Sequence, residues 1–168
     1  SMFYDLEDPL AFAKDISNIL HTEGVWVFEQ SYLPAMLRQN SYDTICHEHL
    51  EYYSLSAIEK ILEAARMKII DVSQNEVNGG SVRLAAVHAN STLVSNISPE
   101  IVWLRNQEKN HGILLDQCFL DFQKNVEKQK HDLVTLLTEL KKAGKTVIGY
   151  GASTKGNVIL QYCNIGTD

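Results

Sequence analysis

Cysteine is scarce. The 168 residues hold three, at positions 46, 118 and 163, with no Cys-x-x-Cys pair. That spacing offers neither a disulfide framework nor a zinc knuckle. No apolar run is long enough to span a bilayer, and no signal peptide opens the chain, so no membrane partner and a cytoplasmic location are the default expectations. Positive charge is also short: the net charge is −6. A nucleic-acid binder would carry a basic face, so nucleic acid is not an expected partner. Repeats and low-complexity tracts are absent. Proline occurs three times, and Pro9, Pro34 and Pro99 each stand where a helix should open.

Hydrophobic residues make up 45% of the chain, enough for a core. The charge is uneven: residues 1–100 hold 6 Lys/Arg against 14 Asp/Glu, whereas residues 101–168 hold 9 against 7. That shift suggests a change of unit near residue 100. Apolar positions predict a helix over residues 9–20 and a buried strand from Val25 that ends at Glu29. A helix, a glycine turn and a strand read as one step of an open α/β sheet, where ligands gather beyond strand ends, so Glu29 is a site candidate. Ser56 and Glu59 fit a capping box opening a helix through Met67. Strands are predicted over residues 68–73 and 81–88, joined as an antiparallel hairpin through the turn-rich residues 75–80. The glycines in Asn78-Gly-Gly-Ser-Val-Arg83 suit either a close approach to a ligand or a plain hairpin connection. Residues 90–98 read as a linker. A long amphipathic helix follows from Leu115, stopped by Gly144; it suits a connector or a dimer helix.

Two stretches carry the chemistry. Tyr42 to Tyr53 gathers His47, His49, Glu48, Glu51, Cys46 and three tyrosines within twelve positions. Histidine titrates near neutral pH, and a neighbouring carboxylate can raise its basicity or orient its ring. Glu48 and His49 are adjacent, so on a regular strand they would face opposite ways. Both can reach one ligand only if the segment is a turn or an irregular loop. On a strand, His47, His49 and Glu51 would instead share one face and could bind a metal. The second stretch is Lys145 to Leu160. A strand should run into Gly149-Tyr-Gly151 and pass through a small-residue turn into a helix, whose free N–H groups and Lys155 would suit a phosphate. It departs from the dinucleotide fingerprint, because the third glycine is Gly156 instead of residue 154. A lone strand-helix step cannot bury its own sheet face, so this second unit reads as truncated. A non-catalytic nucleotide-binding or assembly module is the alternative reading.

Three motifs, Tyr42–Tyr53, Asn78–Arg83 and Gly149–Asn157, in this order, resemble the sugar C-methyltransferases, which use S-adenosylmethionine to methylate a carbon beside the ketone of a nucleotide-linked keto-deoxysugar. The openings Phe3-Tyr-Asp-Leu-Glu-Asp-Pro-Leu10 and Gly24-Val-Trp-Val-Phe-Glu29 fit as well. The resemblance implies an α/β chain cut from a larger enzyme. Residues 1–92 would be the second half of a class I methyltransferase (Rossmann-like) sheet ending in the hairpin. Residues 93–144 would be linker and connecting helices, and residues 145–168 the first step of a second Rossmann-like unit. The adenosylmethionine loop would lie outside the chain, as would a zinc module, so no residue here is assigned to cofactor or metal, and the fragment alone is expected to be inactive. A half-sheet with an open edge could also self-associate. By resemblance His49 is the general base and Glu48 its acidic neighbour. His47, Asn78, Gly151, Ser153, Lys155 and Asn157 would hold the nucleotide sugar. Relatives often carry tyrosine where this chain has Cys46.

Overall fold

The computed structural model describes residues 2–93, 97–151 and 153–166, and at position 78 the backbone only. Its elements are α1 (Pro9–Ile19), β1 (Trp26–Ser31), α2 (Leu33–Gln39), α3 (Leu55–Ala64), β2 (Met67–Asn75), β3 (Ser81–His88), α4 (Pro99–Asn110), α5 (Asp116–Lys142) and α6 (Thr154–Tyr162). All three prolines lie in the first turn of a helix, where the missing N–H costs nothing. Asp8 caps α1 by accepting from the Ala11 N–H at 2.8 Å.

The sheet has the order β1-β3-β2. β3 runs antiparallel to both neighbours, so β1 and β2 run parallel to each other. The expected hairpin is present, and it reverses through a 3-10 turn at Val77–Gly79. Gly80 has φ of +116°, and a Cβ there would stand 2.5 Å from the Ala35 Cβ. Glycine is needed here because the strand start presses on α2.

One sheet face forms the core. Trp26 and Phe28 on β1 lie opposite Ala86 and Leu84. Ala13, Ile58, Leu62, Ile101 and Leu104 from α1, α3 and α4 join the same buried cluster. Phe3 enters it from a short N-terminal 3-10 turn, with ring centroids 5.3 Å from Tyr53 and 5.6 Å from Phe28.

Several local expectations are corrected. The cap of α3 is Ser54, whose Oγ accepts from the Ala57 N–H at 3.2 Å. Ser56 sits inside the first turn and Glu59 pairs with Arg105 at 2.6 Å, so the capping box is not used. The helix stops before Met67 because Arg66 takes a left-handed φ of +58° and turns the chain into β2, where Met67 pairs with His88. β1 continues past Glu29 to Ser31, and the Glu29 carboxylate accepts from the Asn75 amide at 3.0 Å instead of ending the strand. Residues 145–150 form no strand, which corrects the expected first step of a second sheet. Among the described residues no strand lies beside them to pair their backbone, and Ile148 is 84% exposed.

Glu108 links the layers. This α4 carboxylate is 3% exposed. Its Oε1 accepts from the Leu55 N–H at 2.6 Å and the Tyr32 hydroxyl at 2.8 Å. Its Oε2 accepts from the Ser56 N–H at 3.0 Å and the Ser56 hydroxyl at 2.5 Å. A carboxylate at the first turn of α3 satisfies orphan N–H groups and meets the positive end of the helix dipole. Burial pushes the Tyr32 phenol well above its usual range, and the adjacent Glu108 charge and hydrogen bond push it further. Glu108→Ala should therefore destabilise the fold by about 3 kcal/mol, since it strands several buried donors, whereas Glu108→Gln should cost less. Urea denaturation of both variants measures this, and equal, negligible losses would contradict it.

Candidate functional site

The Tyr42–Tyr53 stretch is irregular, as a shared site for Glu48 and His49 requires. A 3-10 turn at Tyr42–Thr44 is followed by a tight turn in which the His49 N–H donates to the Cys46 carbonyl at 3.2 Å. The next residues are pinned from the N-terminus: the Tyr4 carbonyl accepts from Leu50 N at 2.9 Å and Glu51 N at 3.2 Å. Phe3 anchors that carbonyl by burying its ring in the core. Its neighbour Tyr4 packs on the His49 imidazole, with centroids 4.3 Å apart.

His49 is half-buried. Its Nδ1 lies 2.8 Å from the Thr44 carbonyl oxygen. A carbonyl can only accept, so this bond assigns the proton to Nδ1 and leaves the lone pair on Nε2. The Tyr52 hydroxyl donates to the same carbonyl at 3.2 Å. Burial raises the Tyr4 phenol above its usual range, with smaller contributions from Asp5 and Cys46. It therefore stays protonated through neutral pH and keeps its O–H.

A cleft of about 430 Å3 opens between this turn and the start of α6, lined by Tyr4, Cys46, Glu48, His49, Ser153 and Lys155 among others. Beside it lies a recess of about 20 Å3, lined by Tyr4, Gln30, His49, Tyr52, Gly79 and Gly80 among others. The structure thus brings together His49, Glu48, Ser153 and Lys155. Ser153 caps α6, its Oγ accepting from the Gly156 N–H at 3.3 Å.

Other expected residues fall elsewhere. His47 is exposed and lines neither space. Gly151 and Asn157 are exposed and also lie outside both linings. The Asn78 side chain is outside the described residues; its backbone belongs to the turn between β2 and β3. Glu29 pairs with Asn75 and touches neither space. The metal alternative at His47, His49 and Glu51 needed a strand, and residues 47–48 form a turn instead. Among the described residues, no three His, Cys, Asp or Glu side chains gather to hold a metal ion. Tyr4 and Gln30 escaped the sequence reading. Gln30 did leave a signal, as a polar residue on the face that carries Trp26 and Phe28.

The cleft depends on α6 docking against the 3-10 turn. Tyr42 is buried, with its hydroxyl 3.7 Å from the Cys163 sulfur and its ring 5.3 Å from that of Tyr162. Lys130 of α5 lies 4.6 Å over the Tyr162 ring. Phe122 and Val126 of α5 line a cavity there together with Ile45 and Val158.

These features define an α/β unit with a histidine–carboxylate cleft facing a capped helix start. Residues 76–168 match the family model described as the C-methyltransferase C-terminal domain, and the chain belongs to that family. It is 31% identical over 151 residues to C-methyltransferase NovU of Streptomyces niveus, covering 90% of this chain and 36% of that relative. The chain therefore spans about a third of the length of the curated relative it matches. The family resemblance read from the three motifs is borne out. Among the described residues, no helix is long and apolar enough to cross a membrane.

Docking of α6 should respond to alkali. Burial first, then the contact with Cys163 and the nearby Asp43 and Tyr162, push the Tyr42 phenol from 10.0 up to about 12. Below pH 10 the phenol is protonated folded or unfolded and contributes no pH dependence. Above that the unfolded phenol ionises first, so stability falls until the folded phenol also ionises near pH 12. Urea denaturation across this range should show a shallower decline for Tyr42→Phe than for the wild type; identical slopes would contradict the assignment.

Proposed function

We propose that the protein containing this chain is an S-adenosylmethionine-dependent C-methyltransferase acting on a nucleotide-linked keto-deoxysugar, and that His49 removes the proton from the carbon to be methylated. One observation carries the reading: Nδ1 of His49 is committed to the Thr44 carbonyl while its ring lines the cleft that Glu48, Ser153 and Lys155 share. That leaves Nε2 as the basic nitrogen on a ring held in one orientation. The family match and the relative's name support methyl transfer to carbon. The order β1-β3-β2, with its hairpin, is compatible with the end of a class I methyltransferase sheet.

Adenosylmethionine would supply the methyl group. Among the described residues no glycine-rich strand-to-helix loop precedes β1 to seat its adenosine, and the recess beside His49 is too small for it.

The chain's own residues divide the remaining work. His49 Nε2 takes the proton. Glu48, on the same turn, supplies negative charge that favours the imidazolium formed. The oxygen of the resulting enolate needs a hydrogen-bond donor. Tyr52 already spends its hydroxyl on Thr44, Tyr53 is 2% exposed within the core, and His47 lies away from the cleft. Tyr4 is the phenol that lines the cleft against His49, and it is the candidate donor. Ser153 and Lys155, at the α6 start, line the same cleft and would meet the anionic nucleotide portion.

Two substitutions in the full-length protein test the division. His49→Ala should cut kcat by roughly a hundredfold or more with nucleotide-sugar binding largely kept. Unchanged turnover would remove His49 as the base. Lys155→Ala should raise the nucleotide-sugar Kd while changing kcat little; unaltered affinity would end the phosphate reading. Nucleotide binding with no methyl transfer by the wild type would favour the non-catalytic module.

A further inference from the structure

Gln30 occupies a place built for an apolar side chain. It follows Trp26 and Phe28 on the core face of β1 and lies opposite Val82 of β3. It is 0% exposed, yet neither its Nε2 nor its Oε1 has a hydrogen-bond partner among the described residues. Burying an amide with both polar atoms unpaired is unfavourable, and a methionine or leucine would fill the position without that penalty. The same residue forms part of the wall of the small recess beside His49. Tyr4, Ser31, Thr44 and His49 line both the recess and the larger cleft, so the two spaces adjoin. The recess holds about 20 Å3, room for a single water-sized group.

A carboxamide donates through nitrogen and accepts through oxygen. One hydroxyl, which does both, can satisfy it at either atom. We propose that Gln30 is a hydroxyl-binding residue of the His49 site: its buried amide takes up one O–H group, of the bound ligand or of a fixed water, in the recess behind the imidazole. The ligand arm of this inference rests on the sugar-nucleotide reading of the cleft; the water arm does not.

Gln30→Met in the full-length protein removes the amide at nearly constant volume. Three readouts decide: the thermal midpoint, the Kd for dTDP-glucose and UDP-glucose, and magnetisation transfer from long-lived water to the Gln30 side-chain amide protons of the ligand-free wild type. If the hydroxyl belongs to the ligand, affinity falls about tenfold, the size of one lost hydrogen bond, and the midpoint holds or rises. If it belongs to water, the amide protons show a water cross-peak, the variant's midpoint falls and affinity is kept. A raised midpoint with unchanged affinity and no water cross-peak overturns the proposal. Should neither nucleotide sugar bind the wild type, the sugar-nucleotide reading fails separately, and absence of the water cross-peak then overturns the role of Gln30.

Discussion

A single buried carboxylate holds the layers in register. Glu108 reaches from α4 to the first turn of α3 and to the Tyr32 hydroxyl just beyond β1. The charge is tolerable inside because donors surround it, two of them backbone N–H groups at a helix start. Tyr32 in turn is bonded through its backbone to Gly80, and Leu33 to Tyr53. The end of β1, the hairpin turn and the end of the histidine stretch therefore share one framework. The walls of the recess are set by that framework as much as by their own side chains.

The site is assembled from pieces that no local rule connects. His49 is oriented by a carbonyl five residues earlier, and its turn is tied to the Tyr4 carbonyl. Tyr4 is where it is because Phe3 sinks into the aromatic cluster. The opposite wall belongs to α6, which reaches the turn through Tyr42, Tyr162 and Cys163. Contact between the histidine stretch and the helix start is thus secured by side chains that do not line the cleft.

Much of this was readable beforehand. The three prolines marked three helix starts, residues 81–88 read as a strand after the turn-rich segment, and Gly144, at φ of +66°, ended the long helix as expected. The histidine stretch stood out through its density of titratable groups. What failed was finer. Ser56 and Glu59 fit a capping box, yet Ser54 is the cap and Ser56 instead bonds the distant Glu108 carboxylate. The apolar run at residues 145–149 has the composition of a strand, but a strand exists only with a neighbour to bond. Gln30 was passed over because its burial depends on which face of β1 meets the helices.

The amino-acid order alone determined most of the element types, the turn glycines, the family and the presence of a histidine beside a carboxylate. These follow from periodicity, backbone preference and residue chemistry, which act over a few positions. Only the tertiary structure decided which nitrogen of His49 is left basic, which phenol accompanies it and which buried polar side chain finds no partner among the described residues. The first rests on a carbonyl five residues away that the fold of the turn brings round, and the others on groups far apart in sequence, such as Tyr4 with His49, whose distances chain folding alone sets.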